Sequence, residues 1–241
     1  APPTPDELTE FSDASWLATA DDGFSSVFND TSRVQVGGAS LRYETDGCFD
    51  TRMWSPPTQD AGWDFLSAGA GGLAFWVYAE NDDTFQGPSP WIQLHTDGLN
   101  YIQFWPDWDI LNDALNNWVE VSVPFNGNEI WTRVDIGTPD LTNINWIEIH
   151  SDTWGCAFTL WFDDLRFDLS YAPPQQLVAV AGDGQVALKW RPYVDPTGTF
   201  AGYNIYREYG PFTDTFGLMP VATITDINTT EYLDTGLTNG F

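Results

Sequence analysis

Basic residues are scarce: 8 Lys and Arg stand against 35 Asp and Glu in 241 residues, for a formal charge of −27. Such a surface repels nucleic acid, anionic lipid and polyanionic sugars at long range, leaving neutral ligands and cations as partners. Cysteine is nearly absent. Cys48 in "TDGCFD" and Cys156 in "TWGCAF" are too few for a zinc site of their own, and neither lies in a CxxC pair. One long-range disulfide or two buried thiols remain. No apolar run approaches the roughly 20 residues that a membrane-crossing helix needs, so no membrane insertion is expected. Ala1-Pro2-Pro3 lacks the basic and hydrophobic parts of a signal peptide, and the sequence reads as a mature soluble chain.

Amphipathic helices of convincing length are missing as well, and so are the GxSxG, HExxH and phosphate-loop patterns of common enzymes. The run Gly69-Ala70-Gly71-Gly72 is better read as a turn before an apolar strand. The only two histidines, His95 and His150, both fall in strand-like text. Counting carboxylates does not separate a glycosidase pair from surface charge, but nothing else points to catalysis, and the expectation is a protein that is not an enzyme.

Aromatic residues are abundant: 13 Trp, 9 Tyr and 16 Phe exceed what packing usually demands, which points to a contact surface. Short alternating runs broken by Gly, Pro, Asn and Asp predict an all-β chain. The strand candidates are "RVQVGG", "SLRYET", "LAFWVYAE", "PWIQLHT", "NYIQFWP", "NWVEVSVPF", "INWIEIHS" and "AFTLWFDDLRF", a number that suits a sandwich. Near Tyr171-Ala172-Pro173-Pro174 Trp becomes scarce and prolines mark a linker. The expected organisation is residues 1–170, a linker at 171–174, and a second domain at 175–241 built from "QQLVAVAGD", "QVALKW", "FAGYNIYRE", "LMPVATI" and "TEYLDT".

The stretch "PWIQLHTDGLNYIQFWPDW" predicts a β-hairpin with two faces. Alternation sends Ile92, Leu94, Ile102 and Phe104 to the core, and Trp91, Gln93, His95, Tyr101, Gln103 and Trp105 to the other side. Flat rings with carboxamides between them suit a pyranose, which has an apolar C–H face and a rim of hydroxyls. These six are the candidate ligand-binding residues. Trp118, Glu120, Trp146, Glu148 and His150 have the same outward parity, on strands whose sheet the sequence does not give. The competing expectation is that this patch is covered and fills a secondary core.

In "AFTLWFDDLRF", Phe158, Leu160 and Phe162 set a parity that Asp164 continues, while Asp163 falls with Trp161 and Leu165. One of the two carboxylates is expected inward, where it needs a cation or several donors. Arg166 is the simplest partner for Asp164, and calcium, which takes six to eight oxygens, is the alternative.

From "GGASLRYETDG" and "GLAFWVYAEN" through the hairpin to "INWIEIHSDTWG" and "FTLWFDDLRF", residues 11–167 resemble the jelly-roll carbohydrate-binding modules of the galactose-binding-like superfamily. The resemblance implies a β-sandwich whose concave sheet binds glycan. It also implies a structural Ca²⁺ at Asp163 or Asp164, with Glu10 and Asp13 as further ligand candidates. The family topology sets "SLRYE" near the closing strand, which implies a disulfide between Cys48 and Cys156 and an oxidising, extracellular or cell-surface location.

"LVAVAGDGQVALKW", "AGYNIYRE" and "EYLDTGLTNG" resemble the start of a fibronectin type III domain, with Trp190, Tyr203 and Ile205 at inward positions. The last two strands of that fold are missing, so this inner face is expected to lack its cover, and either a longer parent polypeptide or another chain is expected to complete it. The fold class is thus all-β, a jelly-roll sandwich followed by a partial fibronectin type III-like sandwich. The expected function is a secreted or cell-surface module binding a neutral glycan. The alternative is a structural or adhesive subunit that uses the same faces for protein contacts.

Overall fold

A computed structural model describes residues 16–58, 62–66, 70–168, 177–193, 200–210 and 215–238. The chain divides into two compact units, Ala1–Tyr171 and Ala172–Phe241.

The first unit is a two-sheet β-sandwich. Its strands are β1 (Leu17–Thr19), β2 (Ser25–Asp30), β3 (Ser40–Thr45), β4 (Thr51–Trp54), β5 (Gly72–Asn81), β6 (Trp91–His95), β7 (Tyr101–Pro106), β8 (Val119–Pro124), β9 (Trp131–Ile136), β10 (Trp146–Ser151) and β11 (Phe158–Asp168). One sheet has six strands in the order β1-β4-β10-β6-β7-β9, and the other five in the order β2-β3-β11-β5-β8. All the pairings are antiparallel. One turn of helix, α1 (Ile110–Asp113), buries Ile110 and Leu111.

Alternation decides what enters the space between the sheets. In the six-stranded sheet Met53, Ile149, Ile92 and Phe104 form one inward row across four strands, and Ile147, Leu94 and Ile102 form the next. From the facing sheet come Leu41, Phe162 and Val77, then Tyr43, Leu160 and Ala79. All of these are buried in one core cluster, and their burial supplies most of the stabilisation of such a sandwich. Aromatic contacts such as Phe65 on Phe167, at 4.9 Å and edge-on, add specificity. The β6–β7 hairpin is closed by Asp97, whose Oδ1 accepts from the amides of Leu99 (2.8 Å) and Asn100 (3.0 Å).

Cys48 and Cys156 are joined, tying the end of β3 to the start of β11 across 108 residues. The strands β3 and β11 are direct neighbours, so the bond closes an end of the sheet that pairing has already brought together.

Two expectations are corrected here. The run "RVQVGG" is a loop between β2 and β3, because the carboxylate of Asp163 takes its backbone. Asp163 Oδ2 accepts from the amides of Gln35 (2.7 Å) and Val36 (2.9 Å), donors that a strand would have used in a ladder. The second correction concerns parity in β11. Asp164 does not continue the inward row: it sits at φ 51° in a bulge between Asp163 and Arg166, and Leu165 and Phe167 enter the core after it. Asp163 is 1% exposed, on the side of Trp161 and beneath the β2–β3 loop.

The second unit contains β12 (Val178–Gly182), β13 (Gln185–Lys189), β14 (Tyr203–Ile205), β15 (Ala222–Ile224) and β16 (Glu231–Thr235). These make a three-stranded sheet, β12-β13-β16, and a two-stranded one, β14-β15. The expectation of an uncovered inner face does not hold. Trp190, Tyr203 and Ile205 are buried, with Leu188, Tyr193, Phe200, Ala222, Ile224 and Tyr232 packed on them. The Tyr203 hydroxyl fixes this cluster, donating to the Ile227 carbonyl and accepting from the Tyr193 amide, both at 2.8 Å.

The Asp163 clamp yields a prediction. Asp163→Asn keeps the volume but weakens charge-assisted bonds and turns an N–H toward donors, so stability should fall by about 2 kcal/mol or more. Equilibrium urea unfolding checks this; an unchanged midpoint would mean that the β2–β3 loop is held by other contacts.

Candidate functional site

The outward face of the six-stranded sheet carries its chemistry in rows that cross the strands. The hairpin register pairs Gln93 with Gln103 and His95 with Tyr101. On the other side of β6, β10 sets Trp146 opposite His95, Glu148 opposite Gln93 and His150 opposite Trp91. Strand β4 then continues two rows, with Trp54 opposite Glu148 and Arg52 opposite His150.

The result is two ladders of rings flanking a polar strip. In one ladder His95 lies between Tyr101 (4.6 Å, 23° between planes) and Trp146 (4.5 Å, 11°). In the other Trp91 lies between Trp105 (4.8 Å, 18°) and His150 (5.0 Å, 20°). These separations match the spacing of paired strands, about 4.8 Å. Near-parallel rings that close cannot lie side by side in one plane, so they overlap face to face with an offset. Each ring then stands on edge, and each contact adds about 1 kcal/mol to the pairing that created it.

The polar groups of the strip and the ladder ends beside it form two hydrogen-bonded groups that approach each other at His95 and Glu148. Gln93 Nε2 donates to Gln103 Oε1 (3.0 Å), and with its proton on Nε2 His95 donates to Gln93 Oε1 (2.9 Å). Glu148 Oε1 accepts from the Trp146 indole (2.8 Å), and Oε2 accepts from His150 Nε2 (3.1 Å). His95 Nε2 is 3.4 Å from Glu148 Oε1.

Burial alone would push the Glu148 carboxyl up. The hydrogen bonds from His150 and Trp146, with the nearby imidazoles, outweigh it and bring the group down to about 2. For His95 burial wins over the attraction of Glu148 and pushes the imidazolium down. The strip thus holds a carboxylate that stays ionised and an imidazole biased to its neutral form.

All six predicted hairpin residues lie on this face. Trp91, Gln93, Tyr101, Gln103 and Trp105 are half-buried, whereas His95 is buried between its two ring neighbours. Trp146, Glu148 and His150 join them, but Trp118 and Glu120 do not, because β8 belongs to the five-stranded sheet, where Trp118 packs edge-on against Tyr78 at 5.7 Å. The sequence reading missed Trp54 and Arg52. Their strand "TRMW" is short and runs into Pro56-Pro57, and only its alternation of Met53 inward with Arg52 and Trp54 outward could have marked it.

The residues proposed for calcium are arranged differently. Asp163 is surrounded by donors, its Oδ1 accepting from the Asp164 amide (2.8 Å) in addition to the two loop amides on Oδ2. Asp164 is paired with Arg166 (2.5 Å), and burial pushes its carboxyl up despite that partner. Calcium needs a shell of oxygens, and this donor set does not fit it. Glu10 and Asp13 lie outside the described residues. Among the described residues the only cluster with metal-ligand proximity is Asp22 with Cys48 and Cys156, whose sulfurs are bonded to each other.

No protein-family model matches the chain, and no curated protein matches it. Among solved structures it is similar to an exo-β-agarase, at 12% identity and a TM-score of 0.49 over 69% of this chain and 25% of that one. It is also similar to the family 11 carbohydrate-binding module of a cellulosomal cellulase of Clostridium thermocellum, at 12% identity and a TM-score of 0.44 over 66% of this chain and 90% of that one. A β-1,2-glucanase from Parabacteroides distasonis matches 95% of this chain and 33% of its own, at 19% identity and a TM-score of 0.45. The chain therefore spans a quarter of the agarase and a third of the glucanase.

The Glu148 environment sets a pH dependence. The folded value, about 2, lies below the ordinary 4.5, so the contribution is complete above about pH 4.5 and is lost as pH falls toward 2. Between those limits the parent should lose on the order of 2 kcal/mol more than Glu148→Gln does. Thermal unfolding of both proteins across that range checks it; parallel curves would show that the carboxylate is not held by its neighbours.

Proposed function

We propose that this chain is a non-catalytic, secreted or cell-surface module that binds a neutral glycan on the outward face of its six-stranded sheet. The observation that carries the reading is the pair of ring ladders with a strip of amides and a carboxylate between them. Rings supply apolar contact for C–H groups, and the strip supplies acceptors and donors for hydroxyls. Gln103 gives its oxygen to Gln93, which leaves its amide nitrogen for a ligand. A net charge of −27 disfavours acidic sugars. The disulfide supports an oxidising compartment, and among the described residues no helix is long and apolar enough to cross a membrane. We read the second unit as fibronectin type III-like, on the strength of its strand order and its Trp190–Tyr203 core.

A second reading, a subunit of an extracellular assembly, draws support from the second unit. Register puts Val180, Ala187 and Leu233 in one row of the three-stranded sheet, and Val180 and Leu233 are exposed. An apolar patch of this kind favours contact with another chain.

Affinity electrophoresis in gels containing hydroxyethylcellulose, mixed-linkage β-glucan, xylan or galactomannan, with polygalacturonate as the acidic control, tests the glycan reading. At least one neutral polymer should retard the parent, and Gln93→Ala with Gln103→Ala should weaken that binding about tenfold. No retardation by any neutral polymer, together with a mass that rises with concentration in sedimentation equilibrium, would replace this reading with the assembly one.

A further inference from the structure

The two ladders occupy most of the ring faces on the sheet. Trp91 is covered by Trp105 and His150, and His95 by Tyr101 and Trp146. A sugar stacks through its C–H groups on a flat ring face, so the central ring of each ladder offers it only an edge. Trp54 is placed differently. It belongs to the polar strip, with Glu148 opposite it on β10 and Leu17 opposite it on β1. Among the described residues no ring stacks on it, and its recorded partner is the Arg52 guanidinium, 5.9 Å from the ring centroid. Trp54 is half-buried, and Leu17, 47% exposed, extends its apolar surroundings.

The polar groups beside it complement a pyranose rim. Glu148 sits one strand away and accepts, while Arg52, two residues along β4, donates. Among the described residues the one carboxylate paired with Arg52, Asp50 Oδ2, stands off at 4.0 Å, and guanidinium N–H groups can then serve a hydroxyl. With Glu148 and Asp50 both close, a uronate would meet two negative charges, and a neutral sugar would meet a matched acceptor and donor. His150 and Trp146 are the last rings of their ladders, both on β10, and among the described residues no ring of β4 continues either stack.

We infer that Trp54 is the stacking platform of this face, with Glu148 and Arg52 as its polar rim, and that it takes a neutral pyranoside with an unbroken C–H face. This rests on the glycan reading of the sheet. The ladders then act as rigid walls that fix Glu148, and the ring that the sugar covers is one the hairpin does not contain.

The test uses the full chain and whichever of the four neutral polymers retards it. Trp54→Ala should raise the dissociation constant tenfold or more, while Trp118→Ala, beside Tyr78 on the five-stranded sheet, should change it less than about threefold. In parallel, oxidation of the parent by N-bromosuccinimide with and without that polymer, read by peptide mass spectrometry, should show Trp54 protected. This second arm needs no variant and decides the matter if Trp54→Ala does not fold. Parent-like binding by Trp54→Ala, or equal oxidation of Trp54 with and without polymer, would overturn the platform while leaving the glycan reading standing on the Gln93 and Gln103 variant. Failure of the parent to bind any neutral polymer would remove the glycan reading and the platform with it.

Discussion

The outward face of the six-stranded sheet depends on a constraint set on the sheet's opposite side, the register of the buried aliphatic row. Met53, Ile149, Ile92 and Phe104 meet across four strands because each must leave water. A slip of one residue between any two of those strands would expose this row and bury the polar one. Once the inward row is fixed, the residues one position away are fixed too. Trp105, Trp91 and His150 have no freedom to choose their neighbours, and neither do Tyr101, His95 and Trp146. The face is therefore rigid because of the core beneath it.

Electrostatics follow from the same geometry. Glu148 is held between two histidines and an indole N–H, in a strip half removed from water, and those contacts keep it ionised. A carboxylate that retains its charge in a partly buried strip accepts hydrogen bonds strongly and carries a fixed orientation. Asp163 is a second carboxylate kept from water, and its work is structural: it organises a loop on the other sheet through backbone donors. The two groups show how one residue class is held by side chains on a sheet face in one place and by backbone amides in another.

Much of this was legible in the sequence, and the exceptions have physical causes. The two faces of the hairpin follow from alternation and a turn, both local, so "WIQLH" and "YIQFW" disclose them. Pairing between distant strands is not local. Nothing in "INWIEIHS" and "NWVEVSVPF" says that the first joins the hairpin's sheet and the second the opposite one, so Glu148 was separable from Glu120 only in three dimensions. The bulge at Asp164 reversed the parity of everything after it, because one residue in a left-handed conformation adds a position without adding a pleat. Trp54 escaped notice because a four-residue strand next to two prolines offers too few alternations to count. The cover over Trp190, Tyr203 and Ile205 came from side chains in loops as well as strands, which strand counting ignores.

The central claim is that ligand recognition belongs to the outward face of the six-stranded sheet. The indole N–H signals of the 13 tryptophans allow a direct map, since they are spread over both sheets and both units. Two-dimensional nitrogen–proton spectra would be recorded during titration with a hexasaccharide of a neutral glycan that the protein binds. The account predicts shifts confined to Trp54, Trp91, Trp105 and Trp146, with Trp76, Trp118, Trp161 and Trp190 unmoved. Shifts at Trp76, Trp118 or Trp161 with silence at Trp54 and Trp146 would put the site on the other sheet and contradict it.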